Sequence, residues 1–173
     1  MTNLNTRTSF VPGRLEQMST RIAFFIAGAG IAAWAPLVPY AKARAGLDEG
    51  TLGLLLLCLG VGSILAMPMA GILATRFGCR RVAVGGTLMI CLALPLLATV
   101  SSIPALIAAL FLFGAGLGTV DSTVNLQAVI VERASGKTMM SGFHGLFSLG
   151  GIVGAAGVSA LLGLGVSPLG ATL

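Results

Sequence analysis

The sequence predicts an all-α integral membrane protein with about five transmembrane helices, and three observations carry that prediction. Of its 173 residues, 56% are hydrophobic and 9% are charged, whereas about a quarter of a soluble domain is charged. Mean hydropathy is +1.01, and the uncharged stretches reach the ~20 residues that a helix needs to cross a hydrocarbon core ~30 Å thick. The basic residues stand at the ends of those stretches, where they act as topology determinants. A formal net charge of +5 therefore argues for membrane orientation rather than nucleic acid, because no aromatic–basic alternation accompanies it.

Residues 1–20 are polar, carry Arg7 and Arg14, and read as a cytoplasmic tail; residues 21–173 form the membrane domain. The first span covers 22–41, with Pro36 and Pro39 predicting a kinked helix. Basic residues, an apolar run and Ala41-Lys42-Ala43 or Ala43-Arg44-Ala45 imitate a signal peptide, but the run is too long for a signal core. Gly28 and Gly30 imitate a dinucleotide loop, yet they lie inside the apolar run with no strand before them.

The second span covers 51–74 and the third 82–100; apart from Thr87, Cys91 and Thr99 the third is apolar, as a lipid-facing helix should be. The fourth covers 104–131 and the fifth 139–166. Short connections predict that sequential helices are antiparallel neighbours. With the N-terminus inside, eight Lys and Arg fall on the cytoplasmic side and only Lys42 and Arg44 outside, the distribution the positive-inside rule expects. Cys58 and Cys91 lie in apolar spans and Cys79 in a cytoplasmic loop, so all three read as reduced, inert thiols. One histidine and three scattered cysteines make no metal site. No nucleophile–base pair or phosphate loop suggests an enzyme, and no cofactor is implied.

Polar groups inside the spans are the candidate site. Asp121 lies about 15 Å from the cytoplasmic end of the fourth span at 1.5 Å per residue. A charge there costs about 2.5–3.5 kcal/mol on insertion scales, so it should face a cavity or a partner. Gly114, Gly118, Asp121, Asn125 and Glu132 are spaced 4, 3, 4 and 7, which puts close-packing glycines and polar groups on one helical stripe. The fifth span carries a second stripe: Ser141, His144, Ser148, Gly151 and Ala155. His144 is about 7 Å in from the cytoplasmic end, a depth that predicts a hydrogen bond to Asn125. Both a proton relay and a neutral packing histidine fit its position. Gly150 and Gly154, like Gly114 and Gly118, are four apart and let helix backbones approach in lipid.

The segment from Gly71 to Arg81 resembles the loop between the second and third helices of the major facilitator superfamily, usually written G-x-L-A-D-R-x-G-R-[KR]. Gly71, Leu73, Ala74, Arg76, Gly78 and Arg81 match; Thr75 replaces the aspartate, and Cys79 shifts the first following basic residue to Arg80. The resemblance covers residues 21 to the end, as most of the N-terminal six-helix half of that twelve-helix fold. Asp121 to Gln127, Glu132 and Ser141 to Gly151 look like the fucose-permease-like branch and its bacterial relatives. It implies a substrate and proton site at Asp121 and Asn125, to which the position of His144 on the fifth span adds a third candidate, and a bacterial inner-membrane location. It also implies a gate built from Gly71, Arg76, Gly78, Arg80 and Arg81, with Glu132 as the acid left to pair with Arg76 or Arg80. The branch's first-helix acid is absent from residues 22–41.

Two classes of function follow. The leading one is a secondary transporter, or a truncated fragment of one, moving a small polar solute such as a sugar by alternating access with proton coupling; drug efflux is its variant for cationic compounds. The other is a non-transporting membrane assembly protein, because five spans do not complete a six-helix half and the glycine faces then need the missing C-terminal helices or a second membrane subunit. The partners are thus the lipid bilayer, a small-molecule solute and protons.

Overall fold

Proline sets the shape of the first span. In the computed structural model, which describes residues 13–173, helix α1 (Arg14–Ala32) gives way to a 3-10 turn (Ala35–Leu37) and then to α2 (Val38–Ala45). Pro36 and Pro39 sit in the first turns of those two elements, where a missing N–H is tolerated. The predicted kink is therefore a full break. Four further helices follow: α3 (Glu49–Phe77), α4 (Cys79–Thr99), α5 (Ile103–Ser135) and α6 (Met140–Gly163). With the first span counted as one, five helices are long and apolar enough to cross a membrane.

The first, second and fourth spans extend at both ends beyond the bounds expected, whereas the fifth shortens from 139–166 to Met140–Gly163. Arg14–Thr20, read from sequence as tail, forms the first two turns of α1, while Arg7 lies outside the described residues. Hydropathy marks where lipid begins, whereas Leu15, Glu16, Gln17 and Met18 are good helix formers in water as well. At ~1.5 Å per residue, α3 and α5 are about 44 and 50 Å long, so both emerge beyond the hydrocarbon.

The joint between α3 and α4 is a single residue. Gly78 has φ +85° and ψ 147°, a region open essentially to glycine alone. The segment expected as a loop is therefore almost entirely helix, with Gly71–Phe77 in the last turns of α3 and Cys79–Arg81 in the first turn of α4.

Helices adjacent in sequence are not, in the main, the helices that pack. α1 packs along α6 and α3 along α5; of the sequential pairs, only α4 with α5 shares a long interface. Glycine makes the choice. A Cβ on Gly114, Gly118 or Gly62 would collide with the carbonyls of Leu59, Ser63 and Phe111, respectively, and one on Gly28, Gly150 or Gly154 with those of Phe147, Phe25 and Ala29. Lipid tails are as apolar as leucine, so backbone approach through small residues, not hydrophobicity, selects partners. α5 lies at the centre, with 44% of an 18-residue apolar stretch buried, and α6 at the edge, with 11% of one. Phe24, Phe113, Phe143 and Leu97 fill the interior. The third span, expected to face lipid, is second only to α5 in burial, with 39% of an 18-residue stretch buried; one face of α4, with Val84, Leu88 and Leu92, is exposed and apolar.

Candidate functional site

Asp121 and Asn125 lie one turn apart on α5 and are joined. The Asn125 amide donates to the Asp121 carbonyl at 2.9 Å and to its carboxylate Oδ1 at 3.2 Å. Both residues are half-buried, and the turn between them is closed by buried Thr123 and Val124. Thr123 donates its hydroxyl to the Thr119 carbonyl at 2.5 Å, so the Asp121 carboxylate, the Asn125 amide and the half-buried Ser122 hydroxyl are the polar groups this turn offers to a ligand. The helix beneath them is pinned by Gly114 and Gly118 against α3, and by Gly116 against α4. A carboxylate with one oxygen held by a neighbouring amide keeps its remaining lone pairs free for a proton or a hydroxyl.

His144 does not join them. No hydrogen bond connects it to Asn125 among the described residues; it is exposed on α6 and meets the Phe24 ring edge-on at 5.5 Å. Phe24 in turn stacks on Phe143 at 5.4 Å. The expected contact fails because it assumed that the fourth and fifth spans are packing neighbours, whereas α6 lies along α1.

The Gly71–Arg81 segment also departs from expectation. Arg76 lies over the ring of Phe77 at 5.3 Å, and Arg76, Arg80 and Arg81 are all exposed. The ion pair found among the described residues joins Lys42 to Glu49 at the other end of the molecule. Glu132 pairs with neither Arg76 nor Arg80. Its Oε2 accepts the backbone N–H groups of Met139 and Met140 at 2.6 and 2.7 Å, capping the start of α6, where Met139 has no side-chain cap of its own. A carboxylate among the unpaired N–H groups of a helix N-terminus is stabilised by hydrogen bonds and by the helix dipole. Thr75 caps no helix N-terminus; it donates to the Ile72 carbonyl at 2.7 Å within α3. Gly71 faces open space.

Two residues were missed in the sequence. Arg44 donates to the carbonyls of Leu97 at 2.7 Å and Val100 at 3.0 Å, closing the C-terminal end of α4 with a cation of the favoured sign. Trp34, at the break in the first span, is 6% exposed, and its indole N–H finds no partner among the described residues. It packs against Phe113 of α5 at 6.5 Å between ring centroids. A buried unpaired donor costs about 1–3 kcal/mol. Pro36 lacks the N–H that would bond the Ala32 carbonyl one turn earlier, so the same break frees an acceptor. The sequence signal was present: the chain's one tryptophan stands two residues before a proline inside a membrane span.

The model of the Major Facilitator Superfamily matches residues 21–169. An uncharacterized MFS-type transporter of Yersinia pestis is 60% identical over 162 residues, which is 94% of this chain and 42% of that protein. An uncharacterized transporter of Sinorhizobium fredii is 36% identical over 78% of this chain and 36% of its own length. The membrane protein MosC of Rhizobium meliloti is 33% identical over 83% of this chain and 35% of its own. The chain thus spans about two fifths of the length of these curated relatives or slightly less. No solved structure matches it.

Proposed function

Because this chain belongs to the major facilitator superfamily, we propose that it provides the proton- and solute-binding helices of a secondary transporter for a small polar solute. The transporter works by alternating access in the bacterial inner membrane, with the N-terminus cytoplasmic. The observation that carries this reading is the hydrogen-bonded Asp121–Asn125 pair on the most enclosed helix of the bundle. An ionisable group at this depth is expensive unless it serves a pathway, and the neighbouring amide orients it. A sugar or related polyol fits a carboxylate–amide pair, which accepts and donates hydrogen bonds side by side. The match of Asp121 and Asn125 to the fucose-permease-like pattern supports the same class.

His144, exposed on α6, is the second titratable group on the proposed proton path. In the gate, Arg76 has lost the family's adjacent acid to Thr75, and Glu132 is engaged in capping α6, so the cytoplasmic lock is weak. The test is uptake by the complete protein in vesicles under an imposed proton gradient. Asp121→Asn abolishes uphill uptake and leaves solute exchange intact. Uptake in that variant with unchanged pH dependence would remove the proton role, and uptake of apolar cations in place of polyols would favour drug efflux.

A further inference from the structure

The break in the first span leaves a defined set of polar groups unmatched. Pro36 has no N–H for the Ala32 carbonyl. The Leu37 N–H, which an unbroken helix would give to the Ala33 carbonyl, goes instead to the Trp34 carbonyl at 2.9 Å. The carbonyls of Ala32 and Ala33 thus lack their α-helical donors. The side chain that follows them, Trp34, is 6% exposed, and its indole N–H has no partner among the described residues. Two acceptors and one donor therefore stand on three consecutive residues.

The helix cannot repair this by straightening. α1 is held to α6, where a Cβ on Gly28 would meet the Phe147 carbonyl. α2 is held to α4 by the bonds of Arg44 to the Leu97 and Val100 carbonyls. Bulk solvent is shut out as well: the Trp34 ring packs on Phe113, and both Phe113 and Leu37 are almost fully buried. In a membrane helix, groups freed by proline are satisfied by neighbouring helices, by Ser or Thr side chains, or by ordered water.

The three groups select their ligand. A metal cation or an ammonium has no lone pair for the indole N–H, and a bare anion has no proton for a carbonyl. An alcohol donates one proton and leaves the second carbonyl unmatched. Water accepts one bond and donates two, the about three bonds typical of a buried water. We propose that one water molecule is bound in the break, accepting from the Trp34 indole N–H and donating to the carbonyls of Ala32 and Ala33. Phe113 is eight residues from Asp121, about 12 Å along α5, so this site is separate from the Asp121–Asn125 pair and independent of the transport reading.

X-ray radiolysis of the complete protein turns bound water into hydroxyl radical, which labels the side chain beside it. The ultraviolet resonance Raman spectrum, less that of the Trp34→Phe variant, isolates this indole and shifts with hydrogen bonding at its N–H. The expected result is a hydrogen-bonded indole, and labelling of Trp34 severalfold above that of the equally enclosed Phe113. Pro36→Ala returns an N–H to the Ala32 carbonyl and should lower that labelling. Labelling of Trp34 no greater than that of Phe113 overturns the proposal with the unaltered protein alone. A hydrogen-bonded indole that is not labelled shows that a protein group holds it, and overturns it too. So does labelling that appears only when a polyol is added, or labelling undiminished in Pro36→Ala.

Discussion

The crossing of α1 with α6 and the crossing of α3 with α5 are built from the same parts. In each, one helix carries a phenylalanine followed by glycines three and seven residues later: Phe147, Gly150 and Gly154 on α6, and Phe111, Gly114 and Gly118 on α5. The facing helix offers one glycine, Gly28 or Gly62, whose own Cβ would strike the phenylalanine carbonyl. The glycines of α6 and α5 meet carbonyls three residues before and one residue after that facing glycine. Both are crossings of helices that run in the same direction, first with fifth and second with fourth, as in small-residue pairs in lipid.

The surroundings differ. α5 has α4 at its back, where a Cβ on Gly116 would lie 2.9 Å from the Gly86 carbonyl, whereas α6 has no such third helix among the described residues. Asp121 and Asn125 thus stand on a backbone clamped from two sides, and His144 on one supported from one side. The same local motif yields a fixed site in one place and an open face in the other.

The largest effects should come from the crossings themselves. Gly114→Ala and Gly150→Ala each drive a methyl group into a backbone carbonyl, at a cost of about 1–3 kcal/mol or more. The loss is expected to be greater at Gly114, because α5 cannot back away from α3 without striking α4. Unfolding midpoints of the two variants in mixed micelles make the comparison, and equal losses would break the asymmetry. Gly157→Ala, on α6 but facing open space, is expected to stay within about 0.5 kcal/mol of the parent.

Smaller effects come from the caps. Arg44→Ala uncaps α4 and should cost about 0.3–1 kcal/mol. Glu132→Ala should speed amide hydrogen exchange at Met139 and Met140 while Arg76→Ala leaves it unchanged; the reverse pattern would restore the ion pair in place of the cap. The smallest effect is a pH dependence at the start of α3. Asp48 accepts the Thr51 N–H at 2.9 Å and the Thr51 hydroxyl at 2.8 Å, which holds its carboxyl below the ordinary range. Its contribution is complete above the unfolded-state pKa of about 4 and is lost as pH falls through the lower folded-state value. Asp48→Asn keeps the cap and should flatten that part of the stability profile; an unchanged profile would exclude Asp48 as its source.

Much of this was legible in one dimension. The five spans follow from hydropathy and length, the break in the first span from Pro36 and Pro39, and the Asp121–Asn125 pair from a spacing of four on a helix. Glu132 illustrates the limit. Its sequence position placed it at the C-terminal end of the fourth span, where α5 carries it, but its partners are backbone N–H groups, which every residue but proline carries and no motif reports. Arg44 escaped notice for the same reason, since it bonds carbonyls 53 and 56 residues away.

The sequence by itself determined which segments enter the bilayer and which polar side chains must be accommodated there, because partition between water and hydrocarbon depends on composition over a single helix length. Tertiary structure alone decided which helices meet. In lipid no hydrophobic gradient distinguishes one apolar face from another, so the choice falls to the fit of glycine against carbonyl across non-adjacent helices. That fit separates His144 from Asn125 and clamps the α5 backbone that carries the half-buried Asp121.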